Sequence, residues 1–263
     1  MNKISGLSIV LPTINEADNL KNLIPQIIEE VNDMLDSQLE IIVVDDGSTD
    51  DTVELIKILS KDHKYLKLIQ RDKEPSLPMS IWEGIESSKY DFVLWMDADG
   101  SMPAKTVKEL LKALNTNINS AIIGSRFVDG GGYKGVKELG ETTFVSAIKN
   151  VNKSNDSVFG MIFSIIFNKF LKILFKSSLT DITSGFIVAN KKYFKKDSFH
   201  DANYGDYFIF LVSDLIRNKV DIIEIGYICE TRMYGTSKTA SNIFQLIGRG
   251  IPYIKVAIKI RRK

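Results

Sequence analysis

Short apolar runs alternate with amphipathic stretches through the first half of the chain. The apolar runs predict buried strands at 7–12, 40–44, 65–69, 92–96 and 121–124. Apolar residues at helical spacing predict helices over 16–35, 51–60, 80–88 and 106–114. Repeated strand–helix units of this length predict an α/β fold with a mostly parallel sheet covered by helices on both faces. Functional loops are then expected at the carboxyl ends of the strands.

The second half is patterned differently. A polar stretch over 130–156 predicts an irregular loop, and 185–190, 207–218 and 221–229 predict a strand, a helix and a strand. Residues 158–176 form an apolar helix with a narrow stripe of small or polar residues four apart: Gly160, Ser164, Asn168, Lys172 and Lys176. Residues 236–263 contain no acidic residue. We predict a single domain over 1–263, with an amphipathic interface helix at 158–176 and a basic, apolar tail at 239–263.

Composition excludes several classes of protein. Lys plus Arg is 34 and Asp plus Glu is 33, so the net charge is +1, which argues against nucleic-acid binding. The single cysteine, Cys229, excludes a disulfide framework and suits a reducing, cytoplasmic compartment. Two scattered histidines, His63 and His200, are too few for a His-rich metal site. The first residues show no secretory pattern.

Acidic or polar clusters follow three of the predicted strands: 12–16, 45–48 and 97–99. Strand ends of a parallel sheet share one edge, so these clusters can converge. Asp97 and Asp99 flank one small residue, and two carboxylates spaced this way can hold Mg²⁺ or Mn²⁺, with diphosphate oxygens as further ligands. An isolated Asp-x-Asp is usually a solvated turn, but here it follows an apolar strand beside two other polar strand ends.

These motifs together resemble glycosyltransferase family 2, in particular its polyprenyl-phosphate (dolichol-phosphate mannose synthase-like) branch. The matching segments, in order, are 10–16 (VLPTINE), 42–50 (IVVDDGSTD), 96–99 (MDAD), 124–128 (GSRFV), 180–186 (TDITSGF) and 232–238 (RMYGTSK). The resemblance implies the GT-A fold and metal-dependent sugar transfer from a nucleotide-sugar, GDP- or UDP-linked, to a polyprenyl phosphate, with inversion at the anomeric carbon. The segment 71–80 departs from the family's Lys-x-x-Gly-x-x-x-Ala pattern.

The resemblance also implies roles for individual residues. The nucleotide-sugar is expected to contact Pro12, Asn15, Glu16, Asp45, Asp46, Ser48 and Asp97. Asp97 and Asp99 are expected to hold the metal, which polarises the leaving diphosphate. The acceptor phosphate is expected to contact Arg126, Arg232, Ser237 and Lys238, where arginine can grip phosphate through two parallel hydrogen bonds.

The chemistry of the acceptor decides whether a general base is needed. A lipid phosphate is already an anion, so positioning and charge neutralisation suffice. A sugar hydroxyl requires a base, for which Asp181 and Asp206 are the candidate carboxylates; a turn or helix cap is the equally weighted alternative for each. Transfer to a saccharide hydroxyl in polysaccharide synthesis therefore stays open. A sugar-phosphate nucleotidyltransferase is disfavoured because no glycine-rich loop follows the first strand.

The apolar helix and the basic tail predict contact with a membrane. Lysines on the helix make a bilayer crossing costly, so we expect it to lie in the interface, with its apolar side chains in the acyl boundary and its lysines toward the headgroups. The alternative is a core helix packed on the sheet. The resulting hypothesis is a cytoplasmic enzyme, peripheral on the inner face of the cell membrane. Association with a second copy or with a membrane protein stays open.

Overall fold

The computed structural model describes residues 4–35, 38–133, 158–175, 177–230, 232 and 234. Within these residues a seven-stranded sheet has the order β3-β2-β1-β4-β7-β5-β8. Its strands are β1 (Leu7–Thr13), β2 (Leu39–Asp45), β3 (Leu66–Gln70), β4 (Phe92–Trp95), β5 (Ala121–Ser125), β7 (Ile187–Asn190) and β8 (Ile222–Gly226). Two short strands, β6 (Gly132–Tyr133) and β9 (Ile228–Cys229), pair separately. The predicted strand over 221–229 is thus divided at Tyr227.

The sheet is mostly parallel, as predicted, with β7 antiparallel to both of its neighbours, β4 and β5. Ile187, the first residue of β7, is therefore paired with Trp95, the last residue of β4. Because of this reversal, the segment that precedes β7, rather than one that follows it, reaches the edge where the parallel strands end.

Helices cover both faces of the sheet. They are α1 (Ala17–Val31), α2 (Thr52–Asp62), α3 (Leu77–Glu86), α4 (Ala104–Thr116), α5 (Val158–Phe175), α6 (Lys196–His200) and α7 (Tyr207–Arg217). Alternate strand residues point to opposite faces, so Ile9 and Leu94 join a core with α1 and α4, whereas Val10 and Trp95 join a core with α3, α5 and α7. The short helix α6 and a 3₁₀ turn at Lys191–Tyr193 were not predicted from the sequence.

The helix predicted over 158–176 is present as α5, but its polar stripe does not face outward throughout. Asn168 is 2% exposed and bonds to the loop before β7: its Oδ1 accepts from Ile182 N at 2.8 Å and its Nδ2 donates to Thr183 Oγ1 at 2.8 Å. Phe167 and Leu171 are buried in the core. The expectation that the apolar side chains of this helix lie in the acyl boundary is therefore wrong at Phe167 and Leu171, and the buried Asn168 amide supplies hydrogen bonds to the loop before β7.

A different side of α5 is left open. Ile166, Phe170 and Ile173 are exposed by 62%, 42% and 77%, and Lys169 and Lys172 are exposed beside them. We call these five residues the α5 outer face. Among the described residues, no helix is both long and apolar enough to span a bilayer.

Candidate active site

The loops after β1 and β2 are joined through Asn15. Its backbone N–H donates to Ser48 Oγ at 2.8 Å, and its Oδ1 accepts from the backbone N–H of Thr49 at 2.7 Å. Asn15 has φ of 57°, a left-handed conformation that asparagine tolerates better than most residues. The polar clusters at 12–16 and 45–48, which the sequence placed on separate strands, thus form one continuous wall.

Asp45, at the end of β2, is buried and only half satisfied. Its Oδ2 accepts from the backbone N–H groups of Gly47 at 3.3 Å and Ser48 at 3.2 Å. Its Oδ1 is buried without a hydrogen-bond partner. An unpaired buried acceptor is costly, so this oxygen is suited to receive a hydrogen bond from a ligand hydroxyl or ring N–H.

Asp46 is engaged within the protein. Its Oδ1 is paired with Arg71, and its Oδ2 accepts from Ser76 N at 2.6 Å. Arg71 in turn lies 3.3 Å from Glu83 on α3. This buried network holds the segment 71–80, which departs from the family pattern, against the sheet. Sequence reasoning did not single out Arg71, although a lone arginine directly after an apolar strand is a signal that would have drawn attention to it.

The predicted Asp-x-Asp turn lies just beyond β4. Asp99 Oδ1 accepts from Ser101 N at 2.9 Å. The carboxylate of Asp97 accepts no hydrogen bond from the described residues. Burial, followed by the negative charge of Asp99, raises the pKa of Asp97 to about 7, against the opposing effect of Arg232.

Arg232 spans two of the predicted acidic clusters. Its two terminal nitrogens lie 2.9 Å from Glu16 Oε1 and 3.1 Å from Asp99 Oδ2. Burial alone would lower the pKa of Arg232, but Asp99 and Glu16 outweigh it and hold this pKa above its usual value. A permanent cation therefore lies beside the Asp-x-Asp turn, although the two segments are far apart in sequence.

Arg126, which follows β5, forms a forked ion pair with Asp181. Its Nε lies 2.8 Å from Asp181 Oδ2, and one terminal nitrogen lies 2.7 Å from Oδ1. That nitrogen also donates to Thr183 Oγ1 at 3.0 Å. Both oxygens of Asp181 already accept from a cation, so the geometry favours an anchoring role for this carboxylate.

Asp206 directly precedes α7, and its hydrogen bonds run backward along the chain. Its Oδ1 accepts from the backbone N–H groups of Asn203 at 3.0 Å and Tyr204 at 2.7 Å, while its Oδ2 is buried without a partner. The following residue, Tyr207, accepts from Trp95 Nε1 at 3.2 Å, which ties the start of α7 to β4.

Glu224 on β8 holds the loop that carries Asp181, and sequence reasoning missed it. One of its carboxylate oxygens accepts from Thr180 N at 2.9 Å, and the other accepts from Thr180 Oγ1 at 2.8 Å and Asp181 N at 2.9 Å. Its signal in the sequence is an acid in the middle of an otherwise apolar strand.

Asp97 and Asp99 are suited to a hard divalent cation. Within the described ranges, no group of three or more His, Cys, Asp or Glu side chains could hold a metal ion, so this pair would leave several coordination positions to other ligands. Carboxylate oxygens are the ligands that Mg²⁺ and Mn²⁺ prefer, and phosphate oxygens of a bound nucleotide commonly complete such a shell. Ser237, Lys238 and the tail at 239–263 lie outside the described residues.

Comparison with known proteins points to one family. The model of "Glycosyl transferase family 2" matches residues 8–197. A dolichol-phosphate mannosyltransferase of Pyrococcus furiosus is 35% identical over 125 residues, which are 48% of this chain and 34% of that protein. The enzyme of the same name from Saccharomyces cerevisiae is 28% identical over 125 residues, 48% of this chain and 46% of its own. The match thus spans less than half the length of these relatives.

Solved structures share the fold. Glucosyl-3-phosphoglycerate synthase from Mycobacterium tuberculosis, in complex with Mn²⁺, UDP and phosphoglyceric acid, superposes with a TM-score of 0.63 at 18% identity, covering 98% of this chain and 78% of that one. The same protein with Mn²⁺, UDP-glucose and phosphoglyceric acid gives a TM-score of 0.64 at 17% identity, covering 98% and 80%. This likeness confirms the GT-A fold expected from the sequence.

Proposed function

Because the chain belongs to glycosyltransferase family 2, we propose that it transfers a sugar from a nucleoside-diphosphate sugar to a polyprenyl phosphate, with inversion at the anomeric carbon. The observation that carries this proposal is the Asp97–Asp99 turn at the carboxyl end of β4, with Arg232 3.1 Å from Asp99. Carboxylates that would hold a cation thus lie beside a guanidinium that would bind phosphate. Together these positive charges would stabilise the negative charge of the departing nucleoside diphosphate.

The nucleotide is assigned to the wall formed by the β1 and β2 loops. Strand β1 lies between β2 and β4, so Asp45 and the Asp97–Asp99 turn flank the same strand end. The unpaired oxygen of Asp45 would accept from the ribose or the base. Pro12, Asn15 and Ser48 would line the same wall, and Asp46 would act through the segment it holds at Arg71 and Ser76.

Asp97 and Asp99 would hold a divalent cation. A bound Mg²⁺ or Mn²⁺ would neutralise charge on the leaving diphosphate. The M. tuberculosis synthase with the same fold binds Mn²⁺ together with UDP, which supports such a cation here. Arg232 would contribute a second, fixed positive charge at the same turn.

The acceptor is assigned from charge. The P. furiosus and S. cerevisiae relatives are dolichol-phosphate mannosyltransferases, and a lipid phosphate needs cations rather than a base. Arg126, Arg232 and Lys238 would supply them, and Ser237 would donate a hydrogen bond to the phosphate. Transfer to a hydroxyl is the second candidate, because the buried, unpartnered Oδ2 of Asp206 is an available proton acceptor.

A lipid acceptor requires contact with a membrane, and the α5 outer face is suited to it. Exposed Ile166, Phe170 and Ile173 would enter the acyl boundary, while Lys169 and Lys172 would meet anionic headgroups. We place the protein peripherally on the cytoplasmic face of the cell membrane, with the tail at 239–263 as a further attachment.

A donor screen tests the proposed activity. GDP- and UDP-linked sugars are incubated with Mn²⁺ and either a polyprenyl phosphate or a saccharide acceptor, and released nucleoside diphosphate is measured. We expect the nucleoside diphosphate to be released with the lipid phosphate acceptor. We expect this release to disappear in Asp99→Asn. Asp91→Asn is the matched control, since Asp91 is an exposed aspartate just before the opposite end of the same strand. Release with saccharide alone would overturn the lipid acceptor, and full activity of Asp99→Asn would overturn the site.

A further inference from the structure

Asn19 is a polar residue at a core position. It lies in the first turns of α1, one turn before Leu23 and two before Ile27, on the side of the helix that packs into the core. Its exposure is only 2%. A buried carboxamide is costly unless its oxygen and nitrogen are both hydrogen-bonded, so the partners of Asn19 indicate what the position requires.

Those partners join α1 to a segment more than two hundred residues away. Asn19 Oδ1 accepts from the backbone N–H of Tyr234 at 3.1 Å, and its Nδ2 donates to the backbone carbonyl of Tyr234 at 3.3 Å. The side chain thus pairs with one residue's backbone in both directions, as a neighbouring strand would. This requires a group that donates and accepts at once, which aspartate or leucine does not supply.

The same amide also orients Glu16. Asn19 Nδ2 donates to Glu16 Oε2 at 2.5 Å, while the other oxygen, Oε1, lies 2.9 Å from Arg232. Arg232 is two residues before Tyr234 and reaches on to Asp99. Asn19 is therefore linked to Arg232 indirectly in two ways: through the backbone at Tyr234 and through the carboxylate of Glu16.

We propose that Asn19 is a positioning residue that holds the Arg232 guanidinium at the Asp97–Asp99 turn for a phosphate of the substrates. The inference rests on the proposed function for the identity of the ligand, whereas the docking of Arg232 and Tyr234 on α1 stands on the contacts alone. Without Asn19, the backbone at Tyr234 loses its two bonds to the side chain, and Glu16 loses a donor to Oε2.

Amide hydrogen exchange of a peptide that contains Tyr234 is the first test, because it requires no activity. Asn19→Ala is expected to raise the exchange of the Tyr234 amide about tenfold, the equivalent of one ordinary hydrogen bond. Asn22→Ala is the matched control, since Asn22 is an exposed asparagine on the same helix whose amide donates to the backbone carbonyl of Asp18. Unchanged exchange in Asn19→Ala would overturn the inference whatever the activity.

Kinetics provide the second test. Asn19→Ala is expected to lower kcat/KM about tenfold. In a protein that already carries Arg232→Ala, adding Asn19→Ala should cause a negligible further loss, since the two residues act as one unit. A change in KM for the donor alone assigns Arg232 to the diphosphate, and a change for the acceptor alone assigns it to the lipid phosphate. Independent, additive losses, or faster exchange with unchanged kcat/KM, would overturn the positioning role.

A second variant covers a loss of folding. Asn19→Asp keeps the shape and accepts from Tyr234 N–H but does not donate to its carbonyl or to Glu16. If Asn19→Ala melts early, a folded Asn19→Asp should still lower kcat/KM because both donor bonds are lost, while its Tyr234 amide, which keeps its acceptor, should exchange more slowly than in Asn19→Ala. Unchanged kcat/KM in a folded Asn19→Asp would overturn the positioning role. If no donor supports transfer in the wild-type protein, the proposed function fails while the exchange test still decides the docking.

Discussion

Replacing the apolar residues of the α5 outer face by serine should strongly weaken binding to vesicles while leaving the fold intact. Burying an isoleucine or phenylalanine fully is worth about 1.5–3 kcal/mol. Scaled by the exposed fractions of Ile166, Phe170 and Ile173, which are 62%, 42% and 77%, the three side chains hold about 3–5 kcal/mol of unused transfer free energy. The triple serine variant should therefore bind at least about a hundredfold more weakly.

Vesicle flotation measures this directly, with vesicles that contain an anionic phospholipid compared with neutral ones. The lysines contribute about 1 kcal/mol each near an anionic surface, so high salt should weaken wild-type binding to anionic vesicles only. Ile58→Ser and Ile216→Ser are matched controls, because both residues are exposed apolar side chains on other helices, α2 and α7. Neither control should change flotation.

Phe167 separates the surface from the core on the same helix. It is 8% exposed and packs in the core, so Phe167→Ser should lower the melting temperature more than Ile173→Ser, whose side chain is 77% exposed. Unchanged flotation of a folded triple variant would refute the membrane assignment of this face.

Three further outcomes are expected. Asp45→Asn should weaken GDP or UDP binding about tenfold or more in calorimetry, because a charged acceptor is lost at a buried position; unchanged affinity would contradict the assignment. Since burial and Asp99 raise the pKa of Asp97 from 3.8 to about 7, the metal-free folded state loses stability as pH rises through that interval. Asp97→Asn in EDTA should thus raise the melting temperature more at pH 8 than at pH 5, and an equal rise would refute this. Arg126→Ala should lower the free energy of unfolding in urea by about 3–5 kcal/mol, because it leaves Asp181 buried without its cation. The double variant Arg126→Ala/Asp181→Ala should recover part of this loss. A lower free energy of unfolding in the double variant than in Arg126→Ala would contradict this reasoning.

The strands and helices were largely predictable because their patterns are local. Alternation and helical spacing placed β1 to β5 and α1 to α4 near their observed positions. The direction of β7 was not predictable, since an apolar run such as Ile187–Asn190 pairs equally well either way and long-range packing decides. The division at Tyr227 likewise depends on the partner strand β6 rather than on the sequence of 221–229.

The candidate site could be proposed from the sequence as a set of residues, and less so as a set of contacts. Strand-end chemistry and the family resemblance brought out Asp45, Asp97, Asp99 and Arg232 before any geometry was known. The bond from Asn19 to Tyr234 joins segments with no shared pattern. The direction of the polar stripe that contains Asn168 was not predictable, because periodicity identifies which residues share a stripe but not which way that stripe faces.

The reversed strand β7 has a consequence for the order in which the sheet is built. In the part of the chain that the structure describes, β4 and β5 are not direct neighbours, and β7 supplies the backbone ladder between them. While the protein is being synthesised, β5 emerges long before Ile187–Asn190 and cannot yet join the growing sheet. The half built from β1 to β4, to which we assign the nucleotide, therefore has its ladders available first. The half that carries Arg126 forms its ladders only after β7 has been synthesised. Late closure of that half would make it the slow and chaperone-sensitive step of biogenesis.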